Sequence, residues 1–313
     1  MSEGSPTVSP RGARAVEVAA QAKINLRLRV LAREASGYHQ LETLFLRLQL
    51  ADTVRLKRTS GPCSLDVVGD FNPALMGPIE KNLAWRAADA YFAASGMRGG
   101  FAIELEKRIP IGGGLGGGSA DAAAVLRALS AMDDEPMELP LLLSLAAGLG
   151  ADVPFLATEH AYALAWGRGE RMLALAPPPA RDALLIIPGF SVNTAEAFRW
   201  LPAPTENARR REESYALPAT DLGEWEGLTA LARNDFEDAV GIRHPEIVDH
   251  LEFLRAQGCA LHRMSGSGST LFGIWTSTAS GPPVSEMPPL PRADAKSLRT
   301  RTATRVEQVS AIE

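Results

Sequence analysis

With 313 residues, 46% hydrophobic and 22% charged, the chain has the composition of an ordinary globular protein, long enough for one large domain or two smaller ones. A formal net charge of −5 argues against a nucleic-acid-binding domain. Two cysteines, Cys63 and Cys259, offer neither a disulfide framework nor a zinc spacing and suit a reducing cytoplasm, and no apolar run reaches the roughly 18 residues of a membrane helix.

The first 14 residues lack the apolar centre of a secretory signal and read as a disordered leader. Ile24, Leu26, Leu28 and Val30 then alternate with Asn25, Arg27 and Arg29, the period of a half-buried strand over 16–31. Lys23 and Asn25 share the face opposite the apolar one. Leu44, Leu46, Leu48 and Leu50 repeat the pattern in a second strand, and Val54 and Leu56 suggest a third. Residues 82–95 contain no Gly or Pro and stop at Gly96, as a helix with a glycine C-cap does. Phe101, Ile103 and Leu105 mark a further strand.

That strand leads into PIGGGLGGGSAD at 110–121, where six of the seven residues from 112 to 118 are glycine. Beyond it, Ala122, Val125, Leu126 and Leu129 follow helical spacing. A helix N-terminus leaves unpaired N–H groups and carries partial positive charge, and glycines in front of it let an anion approach the backbone. The run therefore reads as a phosphate cradle; a linker or a close strand–helix turn is the plainer alternative. It has neither the lysine of GxxxxGK[ST] nor the setting of a dinucleotide fingerprint. Ser119 stands where the helix begins, able to meet a phosphate oxygen or a magnesium ion or to cap the helix.

An apolar helix at 139–149 precedes ADVP, and PPPA at 177–180 marks a boundary between a unit at 15–176 and one at 177–313. The second unit reads as a strand at 183–187, helices at 194–200, 228–240 and 245–257, and strands near 260–264 and 270–275 flanking SGSGS at 265–269. That small-residue loop suits a hairpin as well as the far wall of a triphosphate site. A proline-rich loop at 280–294 and a last strand at 298–306 follow. The arginine run at 209–211 precedes Glu212 and Glu213 and reads as a solvated face. Strands and helices mix without regular alternation, which favours α+β.

The motifs AKINLRLRV (22–30), GYHQLETLF (37–45), PIGGGLGGGSADAAA (110–124), GADVPF (150–155), NDFE (234–237) and MSGSGSTLF (264–272) together resemble the GHMP kinases. They are most similar to the branch whose acceptor is an erythritol carrying a cytidine diphosphate. The resemblance spans about residues 19–275. Ser36 departs from it, standing where a charged residue is usual, and so does the proline-rich segment after Trp275, where a helix is usual.

The resemblance implies a two-domain fold with the active site in the cleft between the domains. It implies ATP and Mg²⁺ as cofactors, a small-molecule substrate rather than nucleic acid or membrane, and a monomer or homodimer in the cytoplasm. It assigns catalysis to Lys23 and Asp152. Asp152 would take the acceptor proton or orient the hydroxyl, and Lys23 would stabilise charge on the oxygen. ATP would lie on Pro110, Gly112, Gly113, Gly114, Leu115, Gly116, Gly117, Gly118, Ser119 and Ala120. Asn25, Tyr38, His39 and Phe198 would hold the acceptor, with Tyr38 and Phe198 sandwiching the base and His39 bonding its polar edge. Without the resemblance, Asp152 reads as an N-cap or turn aspartate before Pro154 and Lys23 as a surface lysine. Tyr38 and Phe198 then read as packed aromatics and His39 as a surface histidine. A homoserine- or mevalonate-type kinase and a non-catalytic nucleotide-binding protein are the alternatives.

Overall fold

The protein is described from a computed structural model, which covers residues 10–34, 37–69, 71, 77–202, 217–277 and 281–312. Residues 1–9 of the leader, Ser36 and the arginine run at 209–211 lie outside the described residues.

Two long strands, β1 (Ala15–Arg33) and β2 (His39–Thr59), pair antiparallel and form the spine of the first sheet. β3 (Ser64–Gly69), the helix α1 (Leu83–Ser95), β4 (Gly100–Lys107) and α2 (Gly117–Met132) follow. Then come α3 (Leu139–Leu149), α4 (Val153–Ala157), β5 (Tyr162–Gly167) and β6 (Arg171–Ala174). α1 has the anticipated ends: the Asn82 side chain accepts the Ala84 amide, and Gly96 closes the helix with φ 72°. The alanine-rich α2 lies against β1 and β2, its small side chains letting helix and sheet approach closely.

The two strands expected at 44–50 and 54–56 are one. β2 pairs with β5 through Leu41–Leu46 and with β4 through Thr53–Thr59. It changes neighbour midway, but β1 accompanies both halves and keeps the backbone extended across the change. The expectation of a half-buried β1 also fails: Lys23, Asn25, Arg27 and Arg29 are all buried. Their face is covered by the later part of the chain, where β8 (Arg233–Asn234) pairs parallel with Arg27 and Leu28 and Arg27 Nη1 donates to Leu231 O at 2.8 Å.

The later part begins with β7 (Asp182–Ile187) and α5 (Thr194–Trp200), then α6 (Ala219–Gly223) and α7 (Trp225–Leu231) before β8. α8 (Glu237–Gly241), α9 (Glu246–Ala256), β9 (Leu261–Met264), β10 (Leu271–Ile274), β11 (Lys296–Arg301) and β12 (Ser310–Ile312) complete it. A four-stranded antiparallel sheet runs β11-β7-β10-β9, while β12 returns to the edge of the first sheet beside β1. The helix anticipated over 228–240 breaks at β8, because Asn234 leaves helical geometry to serve the loop after β9. The strand expected at 298–306 is β11, which stops at Arg301, and it is not the last, since β12 follows. In place of a further helix, the described residues after Trp275 carry a single turn at Val284–Glu286 and then β11 and β12.

Candidate active site

The glycine run joins β4 to α2, and its glycines serve two purposes. Gly114 has φ +77°, and a Cβ there would stand 2.2 Å from Ser265 O. The small-residue loop at 265–269 is thus pressed against the glycine run, main chain on main chain. Thr270 N donates to Gly113 O at 3.1 Å, and Ser265 Oγ donates to Gly114 O at 2.9 Å. Gly116 serves the other purpose. It has φ +73° and no side chain to cap α2, whose amides at 117–119 have no intrahelical acceptor. A Cβ on Gly116 would lie 3.1 Å from the Lys23 side chain and 3.6 Å from Asp152 Oδ2. Gly112 and Gly118 are exposed, Pro110 and Ser119 half-buried, and Leu115 and Ala120 buried in the core.

Lys23 reaches this loop from β1. Its ammonium is surrounded by three acceptors: Asn25 Oδ1 at 2.8 Å, Gly114 O at 3.0 Å and Asp152 Oδ2 at 3.3 Å. Its own amide donates to Leu115 O at 2.9 Å, so one residue ties β1 to the loop twice. Asn25 is oriented in turn, donating to Thr43 Oγ1, which donates to Arg27 O, both at 2.8 Å. With its oxygen on Lys23 and its amide on Thr43, Asn25 sets the ammonium in place.

Asp152 occupies the N-cap position of α4, yet its side chain makes no capping hydrogen bond. The turn-aspartate alternative needs that bond. The carboxylate is instead turned to Lys23, with its side chain 29% exposed. It is therefore open to a small molecule on one side and ion-paired on the other.

Two residues given no role in the sequence analysis, Arg47 and Asn234 of the NDFE motif, hold these parts. Buried Arg47 donates from Nη2 to the carbonyls of Phe155, Leu156 and Thr158 at 3.1, 2.8 and 3.0 Å, and from Nε to His160 O at 3.0 Å. It grips the end of α4 opposite Asp152. Burial pulls its pKa down to about 9, with Arg127 adding to the effect and Glu159 opposing it. Asn234 does the same for the second loop, donating to Met264 O at 2.7 Å and Gly266 O at 2.8 Å. Beside it Glu237 accepts the Met264 amide at 2.7 Å, and burial pushes its carboxyl up to about 7. Asp235 accepts the Val30 amide at 2.9 Å and so joins β8 to β1.

The aromatic residues lie partly as expected. His39, at the start of β2, stacks on Phe198 of α5 with centroids 4.4 Å apart and planes within 14°. Phe198 meets Phe236 edge-on at 4.9 Å. Tyr38 is 60% exposed, with the Arg168 guanidinium 4.1 Å from its ring centre. His39, not Tyr38, thus stands face to face with Phe198. Burial, assisted by Arg33, lowers the His39 pKa. Elsewhere a cleft of about 590 Å³ is lined by Asp52, Arg108, Asp182, Arg299, Thr300 and Arg301 among others, and it contains none of the expected site residues.

Comparison with known proteins gives the family and the fold. Residues 82–160 match the GHMP kinases N terminal domain and residues 215–285 the GHMP kinases C terminal domain. The chain is 40% identical over 263 residues to 4-diphosphocytidyl-2-C-methyl-D-erythritol kinase of Parvibaculum lavamentivorans, covering 83% of this chain and 89% of that one. It is 37% identical over 284 residues to the protein of that name from Pelotomaculum thermopropionicum, covering 90% and 96%. Among solved structures, a 4-(cytidine 5'-diphospho)-2C-methyl-D-erythritol kinase superposes with a TM-score of 0.70 at 36% identity, covering 91% of this chain and 98% of that one. No helix among the described residues is long and apolar enough to cross a membrane.

Proposed function

The chain belongs to the GHMP kinases, and from that membership and its site we propose that it is a cytoplasmic enzyme that moves the γ-phosphoryl group of ATP to a hydroxyl of 4-diphosphocytidyl-2-C-methyl-D-erythritol, a step of non-mevalonate isoprenoid synthesis. The observation that carries this reading is the uncapped, part-exposed carboxylate of Asp152, 3.3 Å from an ammonium that also holds the glycine loop.

The loop fits a polyphosphate. Its first-turn amides at Gly117, Gly118 and Ser119 lack intrahelical acceptors, and the absence of Cβ atoms at 116–118 leaves them open. Magnesium suits a site of this kind as a partner of phosphate oxygens. The Ser119 hydroxyl is the protein oxygen at the start of α2. A bound magnesium ion would neutralise charge on the phosphates.

Phosphoryl transfer asks the protein for placement and charge more than for covalent chemistry. Asp152 accepts the hydroxyl proton as the acceptor oxygen bonds to the γ-phosphorus and the bond to the bridging oxygen breaks, releasing ADP. Lys23, 3.3 Å from that carboxylate, stabilises negative charge on the acceptor oxygen. Because Lys23 also donates to Gly114 O, its position follows that of the loop, and donor and acceptor are registered through one side chain. At the far end of the acceptor, Phe198, His39 and Tyr38 offer aromatic faces for a pyrimidine. Ion-paired Arg168 beside Tyr38 offers positive charge near a diphosphate.

The test is ADP release with the cytidyl acceptor, homoserine and mevalonate run in parallel. Turnover with the cytidyl compound alone is expected. Turnover only with homoserine or mevalonate would replace this reading with another member of the family.

A further inference from the structure

At the root of the glycine loop three buried charges take no part in the chemistry above. Lys107 ends β4, Asp52 lies in β2 and Asp121 in α2, and each side chain is 5% exposed or less. The Lys107 ammonium donates to Asp52 Oδ2 and, at 2.6 Å, to Asp121 Oδ2. Asp52 Oδ1 accepts the amides of Arg108 at 2.5 Å and Ile109 at 2.7 Å, the first two residues of the loop. A Cβ on Gly117 would stand 3.5 Å from Lys107 Nζ, so the ammonium lies against the first turn of α2.

Such a cluster is poor value as packing. Burying charges costs several kcal/mol per ion by order of magnitude, and apolar residues of similar size often hold a core as well. What the charges add is direction. Asp52 fixes where the loop leaves β4, Asp121 fixes the helix on which the loop ends, and one ammonium joins them. The loop tip is held separately by Ser265, Thr270 and Lys23. Burial works against the Lys107 ammonium, but the two carboxylates outweigh it and raise its pKa. Burial likewise pushes the Asp121 carboxyl up, against the pull of Lys107, and Asp121 Oδ1 is buried with no hydrogen-bond partner among the described residues.

We propose that Lys107 is a positioning residue for the ATP polyphosphate: strapped between Asp52 and Asp121, it sets the angle between the start of the glycine loop and the first turn of α2. The inference rests on the loop being the phosphate site. Amides drawn from a loop and from a helix converge on the same oxygens only if the two are locked together.

Lys107→Met alone leaves two buried carboxylates facing each other and is expected to lose stability. Two gentler variants of the full chain carry the test. Lys107→Met with Asp121→Asn removes the strap and leaves the net charge of the cluster unchanged. Asp121→Ala cuts it only at α2 and leaves Lys107 paired with Asp52. The readouts are thermal melting, calorimetric binding of a non-hydrolysable ATP analogue, and KM for ATP and for the cytidyl acceptor. Both variants are expected to fold and to bind the analogue about tenfold more weakly, roughly 1.4 kcal/mol, with acceptor KM within about twofold of wild type. Analogue affinity within about twofold of wild type in either folded variant overturns the proposal, as does a parallel rise in both KM values. Analogue binding needs no turnover, so a wrong acceptor would leave wild-type analogue binding intact and show only in the acceptor assays.

Discussion

The phosphate end and the aromatic end of the site are held by different means. Around the glycine loop the partners are polar, buried and fixed in direction. Lys23 has three acceptors within 3.3 Å, Gly114 O receives two donors, and the loop at 265–269 is locked by Asn234. Around Phe198 the contacts are ring faces, one partner is a histidine, and Tyr38 projects into solvent under an arginine. Stacked rings can slide by an ångström at little cost, whereas a displaced ammonium loses its hydrogen bonds. In the proposed reading, the end assigned to bond making is thus the end built not to move, and the end assigned to the base has room to adapt.

Mutations that separate the two ends sharpen that contrast. Asp152→Asn should show the largest effect, a fall in kcat of about 10²- to 10⁴-fold with ATP-analogue affinity unchanged. Turnover near that of wild type would take the proton-accepting role away from Asp152. Two glycine variants come next and distinguish packing from access. Gly114→Ala would place a Cβ 2.2 Å from Ser265 O at φ +77°, so a strain of about 1–3 kcal/mol, a lower Tm and at least a tenfold rise in KM for ATP are expected. Gly118→Ala meets only Leu83 Cδ1 at 3.7 Å and sits in a helix. It should keep Tm or raise it slightly while still raising KM for ATP. Equal Tm losses in the two would show that the glycines serve packing alone.

At the aromatic end Phe198→Ala should raise KM for the cytidyl acceptor by about fivefold, consistent with the roughly 1 kcal/mol of an aromatic pair, and leave KM for ATP unchanged. Tyr38→Ala run alongside shows which ring the base uses. A rise in KM for ATP in either would mean that the ends are not independent.

Glu237→Gln is the smallest perturbation. The Glu237 carboxyl rises from 4.5 to about 7 on folding, through burial, so the folded chain holds that proton more tightly than the unfolded one. Its contribution to stability is therefore full below about pH 4.5 and is lost as pH rises through about 7. Glutamine does not titrate and can still accept the Met264 amide. The variant should melt about 2 °C above wild type at pH 8, with the gap closing towards pH 5. A gap independent of pH would assign the change to packing.

The sequence makes the chemistry of the phosphate end easier to see than its supports. The glycine run stands out because few other needs concentrate so many glycines before a helix. The fold bears out α1, α2 and the strand before the loop, whose periods and caps are local. The continuity of β2 and the burial of Lys23 depend on what lies alongside, and neither leaves a local trace. Asp52, Lys107 and Asp121 are separated by 55 and 14 residues, so nothing in the chain order pairs them. Arg47 reads as one more charge in an alternating strand until the carbonyls of α4 turn out to face it. Phe198 had an aromatic partner in prospect, but the stack with His39 appears only when β2 and α5 come together.

The most direct test is a crystal structure with the cytidyl acceptor and a non-hydrolysable ATP analogue bound together. The account predicts the analogue's phosphates on the amides of Gly117, Gly118 and Ser119. It also predicts the acceptor hydroxyl within hydrogen-bond reach of Asp152, about 2.6–3.2 Å, and in line with the terminal phosphorus. Phosphates bound instead in the arginine-lined cleft beside Asp182, with Asp152 touching neither ligand, would contradict it.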